Sequence, residues 1–348
     1  LTTIIKMGFA AYFLIVWDLC KFATEQGIWY NARGSAAGSI VAYLLGITLV
    51  DPLAHGLIFE RFLNVDRISM PDIDLDFQDD KRSRMLEYAA NRYGDDRVAA
   101  IITFNKLKAR AAVRDVGRVM NVPLSDVDRI AKLIPNIPGK PVTITEALED
   151  IRDLRTEYNS NPQTKELIDT AVLMEGVIRG AGTHAAGVVI ADDEIVKYVP
   201  LHRPTGNATE DTPIKKLTQF EMATLESLGL LKVDFLGLAT LTIMQRACAL
   251  IKERRGIDLN LYNIPIDDAQ TYELLGRGET AGVFQFEGSG MRRWMVAMKP
   301  KMLDNAVAMV ALFRPGPMDC RDLWHSGVSR AADVRCDGGG GLHALRSR

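Results

Sequence analysis

Residues 69–80 read SMPDIDLDFQDD, and acidic and apolar residues alternate strictly from Asp72 to Phe77. Because side chains of a β-strand point alternately to its two faces, the pattern predicts a strand with Asp72, Asp74 and Asp76 on one face. Carboxylates crowded on one face repel each other unless water or a cation screens them. Two interpretations are therefore open: a solvated edge strand, or a site for Mg²⁺, which prefers oxygen ligands such as carboxylates.

A further acidic residue in an apolar setting lies in LLKVDFLGL (230–238). The pattern predicts a strand over 230–235 that places Lys232 and Asp234 on the same face. A lone carboxylate in apolar surroundings is costly unless it is paired. Asp234 is therefore either half of a Lys–Asp pair at the surface or a member of a functional site.

Small residues in ARGSAAGS (32–39) precede an apolar helical segment. Such residues let the backbone approach a phosphate closely, and the N–H groups at a helix N-terminus attract anions. Arg33 would add a charged donor. The segment contains neither GK[ST] nor GxGxxG, which disfavours a P-loop ATPase. Close helix packing through small residues is the alternative explanation.

A cluster of basic residues lies in FNKLKARAAVRDVGRVM (104–120). Its members are Lys106, Lys108, Arg110, Arg114 and Arg118. The three arginines recur every four residues and so share one side of a predicted helix. In a chain whose net charge is −2, the cluster is either a contact surface for a nucleic-acid backbone or an ordinary solvated helix face.

The overall composition is that of a globular protein. The chain has 348 residues, of which 47% are hydrophobic and 25% charged, and this length favours two or three domains. The four cysteines lack the CxxC spacing of a zinc site, which favours a reducing, cytoplasmic location. No apolar run is long enough to span a bilayer and no signal peptide is evident, so we expect no membrane association. Because Leu1 runs directly into a helical pattern, we expect an internal fragment of a longer protein.

Periodicity along the chain predicts a mixed α/β fold. A first helix is predicted over 4–26, and residues 104–175 are helical apart from proline breaks. Strands are predicted over 71–77, 98–103, 183–201, 217–222 and 230–235. Since strands flank the long helical segment on both sides, we predict one α/β domain interrupted by a helical insertion.

Together and in this order, the motifs resemble those of the C-family replicative DNA polymerases, the catalytic (alpha) subunits of bacterial DNA polymerase III. The motifs are GSAAGS (34–39), ERFLN (60–64), SMPDIDLDF (69–77), VRDVGR (113–118), HAAGVVI (184–190), TQFEM (218–222), KVDFLGL (232–238), VFQFE (283–287) and ALFRPGPM (311–318). The resemblance extends from Ile4 to Met318, and the combination of SMPDIDLDF with KVDFLGL is highly specific to that family.

The resemblance implies an α/β (α+β) fold with a nucleotidyltransferase palm like that of polymerase β. A helical thumb would interrupt the palm, and part of a helical fingers domain would follow it. The expected parts are a palm over 1–100, a thumb over 101–175, the rest of the palm over 176–236 and fingers over 237–318. Residues 319–348 do not resemble the family, and we expect them to be disordered or a non-native reading of the gene end.

The resemblance also implies a DNA polymerase with two Mg²⁺ ions on Asp72, Asp74 and Asp234. Asp76 matches the motif but is not expected to be a primary ligand. The residues expected around the incoming triphosphate are Arg33, Gly34, Ser35, Arg61, Lys232 and Arg314. The basic cluster of the thumb would hold the DNA duplex through its phosphates.

The expected substrates are primer–template DNA and deoxynucleoside triphosphates (dNTPs). For a full-length protein, the resemblance adds the sliding clamp, the clamp loader and a proofreading subunit as partners.

One departure from the family pattern is that Tyr30-Asn31-Ala32 stands where the family usually has Gly-Pro-Gly. Three alternatives remain: a truncated and catalytically silent DNA-binding fragment, an error-prone paralogue that acts in damage tolerance, and an ATP-using nucleotide-binding protein unrelated to DNA.

Overall fold

The computed structural model describes residues 1–66, 70–136, 141–204 and 213–313. Within these residues the chain forms two compact units. The first contains Leu1–Ile101, Ala185–Arg203 and the described part of 208–348, and the second is formed mainly by Ile102–His184. The two boundaries between the units lie within strands, one in Val98–Lys106 and the other in Ile178–Ile190.

A seven-stranded mixed sheet is built from the described strands, in the order β1-β2-β7-β4-β3-β6-β5. The strands are β1 (Tyr30–Arg33), β2 (Asp74–Gln78), β3 (Val98–Lys106), β4 (Ile178–Ile190), β5 (Leu201–His202), β6 (Leu217–Thr218) and β7 (Leu231–Leu238). Strand β2 pairs antiparallel with β1 and parallel with β7, which in turn pairs antiparallel with β4. The mixed sheet together with the helices confirms the prediction of a mixed α/β fold.

The apolar half of the alternating stretch forms the core of the first unit. Ile73, Leu75 and Phe77 are fully buried. The ring of Phe77 stacks on that of Phe235, with centroids 5.9 Å apart, and lies 6.1 Å from the ring of Tyr30. Alternation therefore directs every second residue of β2 into the core and leaves the acidic residues for the opposite face.

The first unit also contains helices, of which the last three share an apolar cluster of their own. They are α1 (Thr2–Lys6), α2 (Ala10–Glu25), α3 (Ile40–Leu44), α4 (Arg82–Tyr93), α10 (Met222–Ser227), α11 (Ala239–Arg255), α12 (Ala269–Gly276), α13 (Ser289–Met298) and α14 (Leu303–Leu312). Helices α2 and α4 are joined by a stack of Phe22 on Tyr88, with ring centroids 3.8 Å apart. The Asp18 carboxylate accepts hydrogen bonds from the Tyr88 and Tyr93 hydroxyls. None of the helices in the described residues is long and apolar enough to cross a membrane.

The prediction of one uninterrupted helix over 4–26 is wrong. Helix α1 ends at Lys6, and α2 begins at Ala10. Between them Gly8 adopts a φ of +79°, a left-handed conformation that glycine tolerates and that no α-helix contains.

Three predicted strands differ in extent from the observed ones. Strand β2 begins at Asp74 rather than at residue 71, because its partner β1 ends at Arg33, opposite Asp74. The segment predicted as a strand over 183–201 contains only the end of β4, then a 3₁₀ turn (Ile195–Lys197) and the short β5. The predicted strand over 217–222 is two residues long, because helix α10 begins at Met222.

The second unit is helical, as predicted for most of 104–175. Its helices are α5 (Ala109–Val119), α6 (Leu124–Leu133), α7 (Ile144–Asp150), α8 (Arg152–Ser160) and α9 (Pro162–Met174). Thr143 begins α7 with a capping box, since its hydroxyl accepts from the Glu146 N–H and the Glu146 carboxylate accepts from the Thr143 N–H. The buried core includes Ala112, Val113, Ile130, Ala131, Leu167 and Ile168.

Gly117 lies where α5 packs against α6, and a Cβ at this position would overlap both methyl groups of Val127. Gly117→Ala is therefore expected to lower the free energy of unfolding by about 1 kcal/mol, since overpacking outweighs the higher helix propensity of alanine. Urea unfolding measures the change. Gly276→Ala in α12 is the control, because the nearest atom to its Cβ would be 3.6 Å away. Stabilisation of the chain by Gly117→Ala would contradict the tight contact.

Candidate active site

Three carboxylates come together on adjacent strands of the first unit. In the parallel pairing of β2 with β7, Asp74 lies directly opposite Asp234. Asp72 is two residues before Asp74 along the chain. One carboxylate oxygen from each of the three lies within 4.8 Å of the others. The structure thus unites the two motifs that are some 160 residues apart in the sequence.

The Asp234 carboxylate is the most buried of the three. The residue is 6% exposed, and no hydrogen-bond donor of the described residues reaches its buried Oδ1 atom. An acceptor held without a donor in a buried position is costly, and a cation would satisfy it. The donor set consists of hard carboxylate oxygens, which suits Mg²⁺. The three residues therefore fit a divalent cation site.

Lys232 supplies positive charge to the same group. Its Nζ atom lies 2.7 Å from Asp234 Oδ2 and 3.1 Å from Asp72 Oδ1. Burial acts to lower the pKa of Lys232, but the hydrogen bond to Asp234 and the charges of Asp234 and Asp72 raise it overall. The Lys232 side chain is only 14% exposed, so this ion pair is a largely buried one rather than the surface pair considered above.

Charge repulsion among the acids is visible at Asp74. Burial raises the pKa of this carboxyl, and the negative charge of Asp72 raises it further, while Arg33 acts in the opposite direction. The neighbouring Asp234 also favours the protonated form of Asp74. A bound cation would remove this repulsion.

Asp76 has a different partner. Its Oδ2 atom lies 3.0 Å from Arg33 Nε, and the residue is 6% exposed. Burial raises the pKa of Asp76, and the charge and hydrogen bond of Arg33 oppose this. Arg33 therefore balances Asp76, outside the group formed by the other three acids.

The glycine–serine turn lies at the same end of the sheet. Since Arg33 pairs with Asp74, the 3₁₀ turn Gly34–Gly38 starts beside the first residue of β2. Gly34 has a φ of +81°, which this turn requires and which a side chain would strain. Gly34 and Ser35 are exposed.

A second turn brings Arg61 to the Gly34–Gly38 turn. A Cβ at Gly38 would lie only 2.9 Å from the Ile58 carbonyl oxygen, so glycine permits close packing of the two backbones. The 3₁₀ turn Phe59–Arg61 follows Ile58 directly and ends with an exposed Arg61. Arg314, the remaining residue expected at the phosphates, lies outside the described residues, as do residues 319–348.

Sequence reasoning missed two residues that hold the acidic strands in place. Arg82 donates from Nε to the Phe235 carbonyl oxygen at 2.7 Å, and from a terminal nitrogen to that of Ala185 at 2.6 Å. Tyr12, on α2, accepts a hydrogen bond from the Ile73 N–H at 3.1 Å. A tyrosine inside an apolar helix was the available signal for Tyr12, but its partner could be found only in the folded chain.

The basic cluster of the second unit is largely engaged within that unit. Arg110 donates two hydrogen bonds to the Ile134 carbonyl oxygen. Arg114 forms an ion pair with Asp128 at 2.8 Å, and Arg118 pairs with Asp115. Lys106 and Lys108 are exposed.

Two protein-family models match the chain. Residues 1–237 match the bacterial DNA polymerase III alpha NTPase domain. Residues 240–328 match the bacterial DNA polymerase III alpha subunit finger domain.

Similar proteins include DNA polymerase III alpha subunits from several bacteria. The subunit from Thermus aquaticus is 47% identical over 320 residues, which cover 92% of this chain and 26% of that protein. The Caulobacter vibrioides subunit is 47% identical over 92% of this chain and 27% of its own length. The Bacillus subtilis subunit is 46% identical over 92% of this chain and 28% of its own length.

The chain therefore spans about a quarter of the length of these relatives. The first family model alone accounts for more than half of the residues, and it includes the three clustered carboxylates. From these matches and from the motifs that carry them, the chain belongs to the family of bacterial DNA polymerase III alpha subunits.

Proposed function

We propose that this chain is the core of a DNA-templated DNA polymerase that adds deoxynucleotides to a primer 3′-OH during chromosomal replication. The observation that carries the proposal is the group of Asp72, Asp74 and Asp234, with the buried, unpaired Oδ1 of Asp234. A carboxylate group of this kind is what metal-assisted phosphoryl transfer needs.

The three carboxylates would hold two Mg²⁺ ions. When bound, the ions supply the positive charge that favours an ionised primer 3′-OH and stabilises the departing pyrophosphate. The task of the chain is to keep three acids close to each other in spite of their repulsion. The strand pairing of Asp74 with Asp234 and the ammonium group of Lys232 support this.

The triphosphate of the incoming dNTP would lie beside these acids. The N–H groups of Gly34 and Ser35 are suited to bind phosphate oxygens, because these two residues are exposed and the turn begins beside Asp74. Lys232 and Arg61 would add positive charge, and Arg33 would do so in addition to its contact with Asp76. Arg314 is proposed for the same role from the resemblance alone.

Contacts to primer–template DNA are proposed for the basic cluster of the second unit, which would then be the thumb. Because Arg110, Arg114 and Arg118 have partners within the unit, Lys106 and Lys108 are the better candidates for phosphate contacts. We propose that residues 1–100 and 176–236 form the palm and that residues 237–318 form part of the fingers.

For the whole protein we propose a cytoplasmic location and the sliding clamp, clamp loader and proofreading subunit as partners.

Extension of a labelled primer by this chain tests the proposal. We expect Mg²⁺-dependent incorporation of the dNTP that is complementary to the template base, and none with a chelator present. A chain that binds primer–template but extends no primer would instead be a catalytically silent DNA-binding fragment. Binding of dNTPs that is indifferent to primer–template would point to a nucleotide-binding protein unrelated to DNA synthesis.

Mg²⁺ is also expected to stabilise the fold, because the ion binds the folded site and not the dispersed carboxylates of the unfolded chain. At a concentration 100 times the Kd, the stabilisation is about 2.7 kcal/mol. Thermal unfolding with and without MgCl₂, at constant ionic strength, measures it. Asp74→Asn is expected to reduce the shift in the midpoint, and an equal shift in wild type and variant would contradict binding at these carboxylates.

A further inference from the structure

The backbone between Asp72 and Asp74 is held by a buried tyrosine. Ile73 lies between the two acids, and its N–H donates to the Tyr12 hydroxyl at 3.1 Å. Both Tyr12 and Ile73 are fully buried. Ile73, which joins the two acids of the DID sequence, is therefore held by a hydrogen bond between its backbone N–H and a side chain of α2.

Within the described residues, no neighbouring strand accepts the N–H group of Ile73. Strand β2 begins one residue later, and its antiparallel partner β1 reaches only as far as the pairing of Arg33 with Asp74. A buried N–H group needs an acceptor, because leaving it without one is costly. For Ile73 that acceptor is the phenol oxygen of Tyr12.

The Tyr12 hydroxyl lies within the electrostatic field of all three acids. Burial raises the pKa of Tyr12, the hydrogen bond from Ile73 opposes this, and the charges of Asp72, Asp234 and Asp74 raise it further. The phenol therefore stays neutral at physiological pH. It can accept the Ile73 N–H without adding a fourth negative charge to the group.

We infer that Tyr12 is a positioning residue that sets the spacing of Asp72 and Asp74 at which these carboxylates and Asp234 share a divalent cation. The inference rests on the metal site proposed above and adds to it a residue that contacts no ligand. Asp72 needs this support most, because it precedes the strand and its side chain is 61% exposed.

The test compares Tyr12→Phe with Tyr30→Phe. Each substitution removes one phenol oxygen from the core of the first unit and retains the ring. The Tyr30 hydroxyl donates to the Gly46 carbonyl oxygen at 2.7 Å, and no acid is involved in that contact. The two variants thus differ in whether the lost hydrogen bond holds the segment between the acids.

Mg²⁺ affinity is measured from the thermal midpoint of unfolding as a function of Mg²⁺ concentration, without DNA or dNTP. Tyr12→Phe is expected to weaken the apparent affinity by about 10-fold or more, the range found when residues that support metal ligands are removed. Tyr30→Phe is expected to lower the midpoint at all concentrations and to leave the Mg²⁺ affinity within about twofold of that of wild type.

Each outcome has one meaning. If Tyr12→Phe binds Mg²⁺ as wild type does, the positioning role is wrong and the metal site stands. If wild type itself shows no Mg²⁺-linked shift, the proposed metal site is wrong. Equal weakening in both variants would show a general loss of packing and would also overturn the inference.

Hydrogen exchange provides a second measurement on the unaltered chain, in case Tyr12→Phe does not fold. The Ile73 amide is expected to exchange slowly without Mg²⁺, and about 10-fold more slowly when Mg²⁺ is bound. Exchange of this amide at the rate of an unprotected one would overturn the inference.

Discussion

Asp234→Asn is expected to reduce primer extension by this chain by about 10³-fold. Asparagine keeps the shape of the side chain but removes the charge of the most buried of the three acids. The site would lose several kcal/mol of charge stabilisation in the transition state. A loss of about 4 kcal/mol corresponds to three orders of magnitude in rate.

Folding of this variant should remain intact. Asp234→Asn removes one of the mutually repelling charges, and Lys232 keeps its contact with Asp72. The midpoint of thermal unfolding in the absence of Mg²⁺ is nevertheless expected to fall below that of wild type, because the substitution also removes the charged partner of the largely buried Lys232. Single-turnover extension of a labelled primer measures the chemical step, and the unfolding midpoint confirms that the variant is folded.

Two control variants test whether the loss of extension is specific to Asp234. Asp258→Asn, at an ion pair with Lys252 in which the carboxylate side chain is 68% exposed, should leave extension unchanged. Asp76→Asn alters an acid of the same motif that pairs with Arg33. It should reduce extension by less than Asp234→Asn does. If Asp76→Asn reduces extension as much as Asp234→Asn does, the assignment of Asp76 as a partner of Arg33 rather than a metal ligand is wrong.

Phe77→Ala is expected to destabilise the first unit by about 3–5 kcal/mol, the usual cost of removing a fully buried ring. Phe77 is completely buried and lies between the rings of Phe235 and Tyr30. Its removal leaves a cavity at the centre of the sheet, under the strand that carries Asp74. The loss is a large fraction of the total stability of a typical domain.

Urea unfolding measures this change as a shift in the midpoint concentration. The slope of the unfolding free energy against urea concentration (the m value) should be the same in the variant and in wild type. Phe220→Ala is the matched control, because Phe220 belongs to the same unit and is 38% exposed. It is expected to change stability by less than about 1 kcal/mol. Comparable losses in the two variants would mean that the Phe77 side chain does not lie in the core.

The sequence predicted the local structure around the acids where periodicity decides it. Alternation alone placed Phe77 in the core and the acids on the other face, because strand geometry has a period of two. It could not show that Asp234 pairs with Asp74, since that depends on the register of two strands far apart in the chain. The family resemblance supplied this long-range information.

Other features depend on tertiary contacts that have no local signal. Asp76 and Asp74 occupy equivalent positions in the alternating pattern, yet Arg33, which the register of β1 places opposite Asp74, forms its ion pair with Asp76. The strand was predicted too early by three residues, because the end of β1 rather than the pattern determines where β2 begins. The mid-helix break at Gly8 was missed because apolar spacing continues across it.

At the proposed metal site, the ammonium group of Lys232 would make metal loading an exchange of one cation for another. Lys232 is the counter-ion of two of the three acids, Asp72 and Asp234. A divalent cation bound by these acids would compete with the lysine for them. The lysine charge would then be available to a triphosphate, so that the cation and the nucleotide would each favour binding of the other.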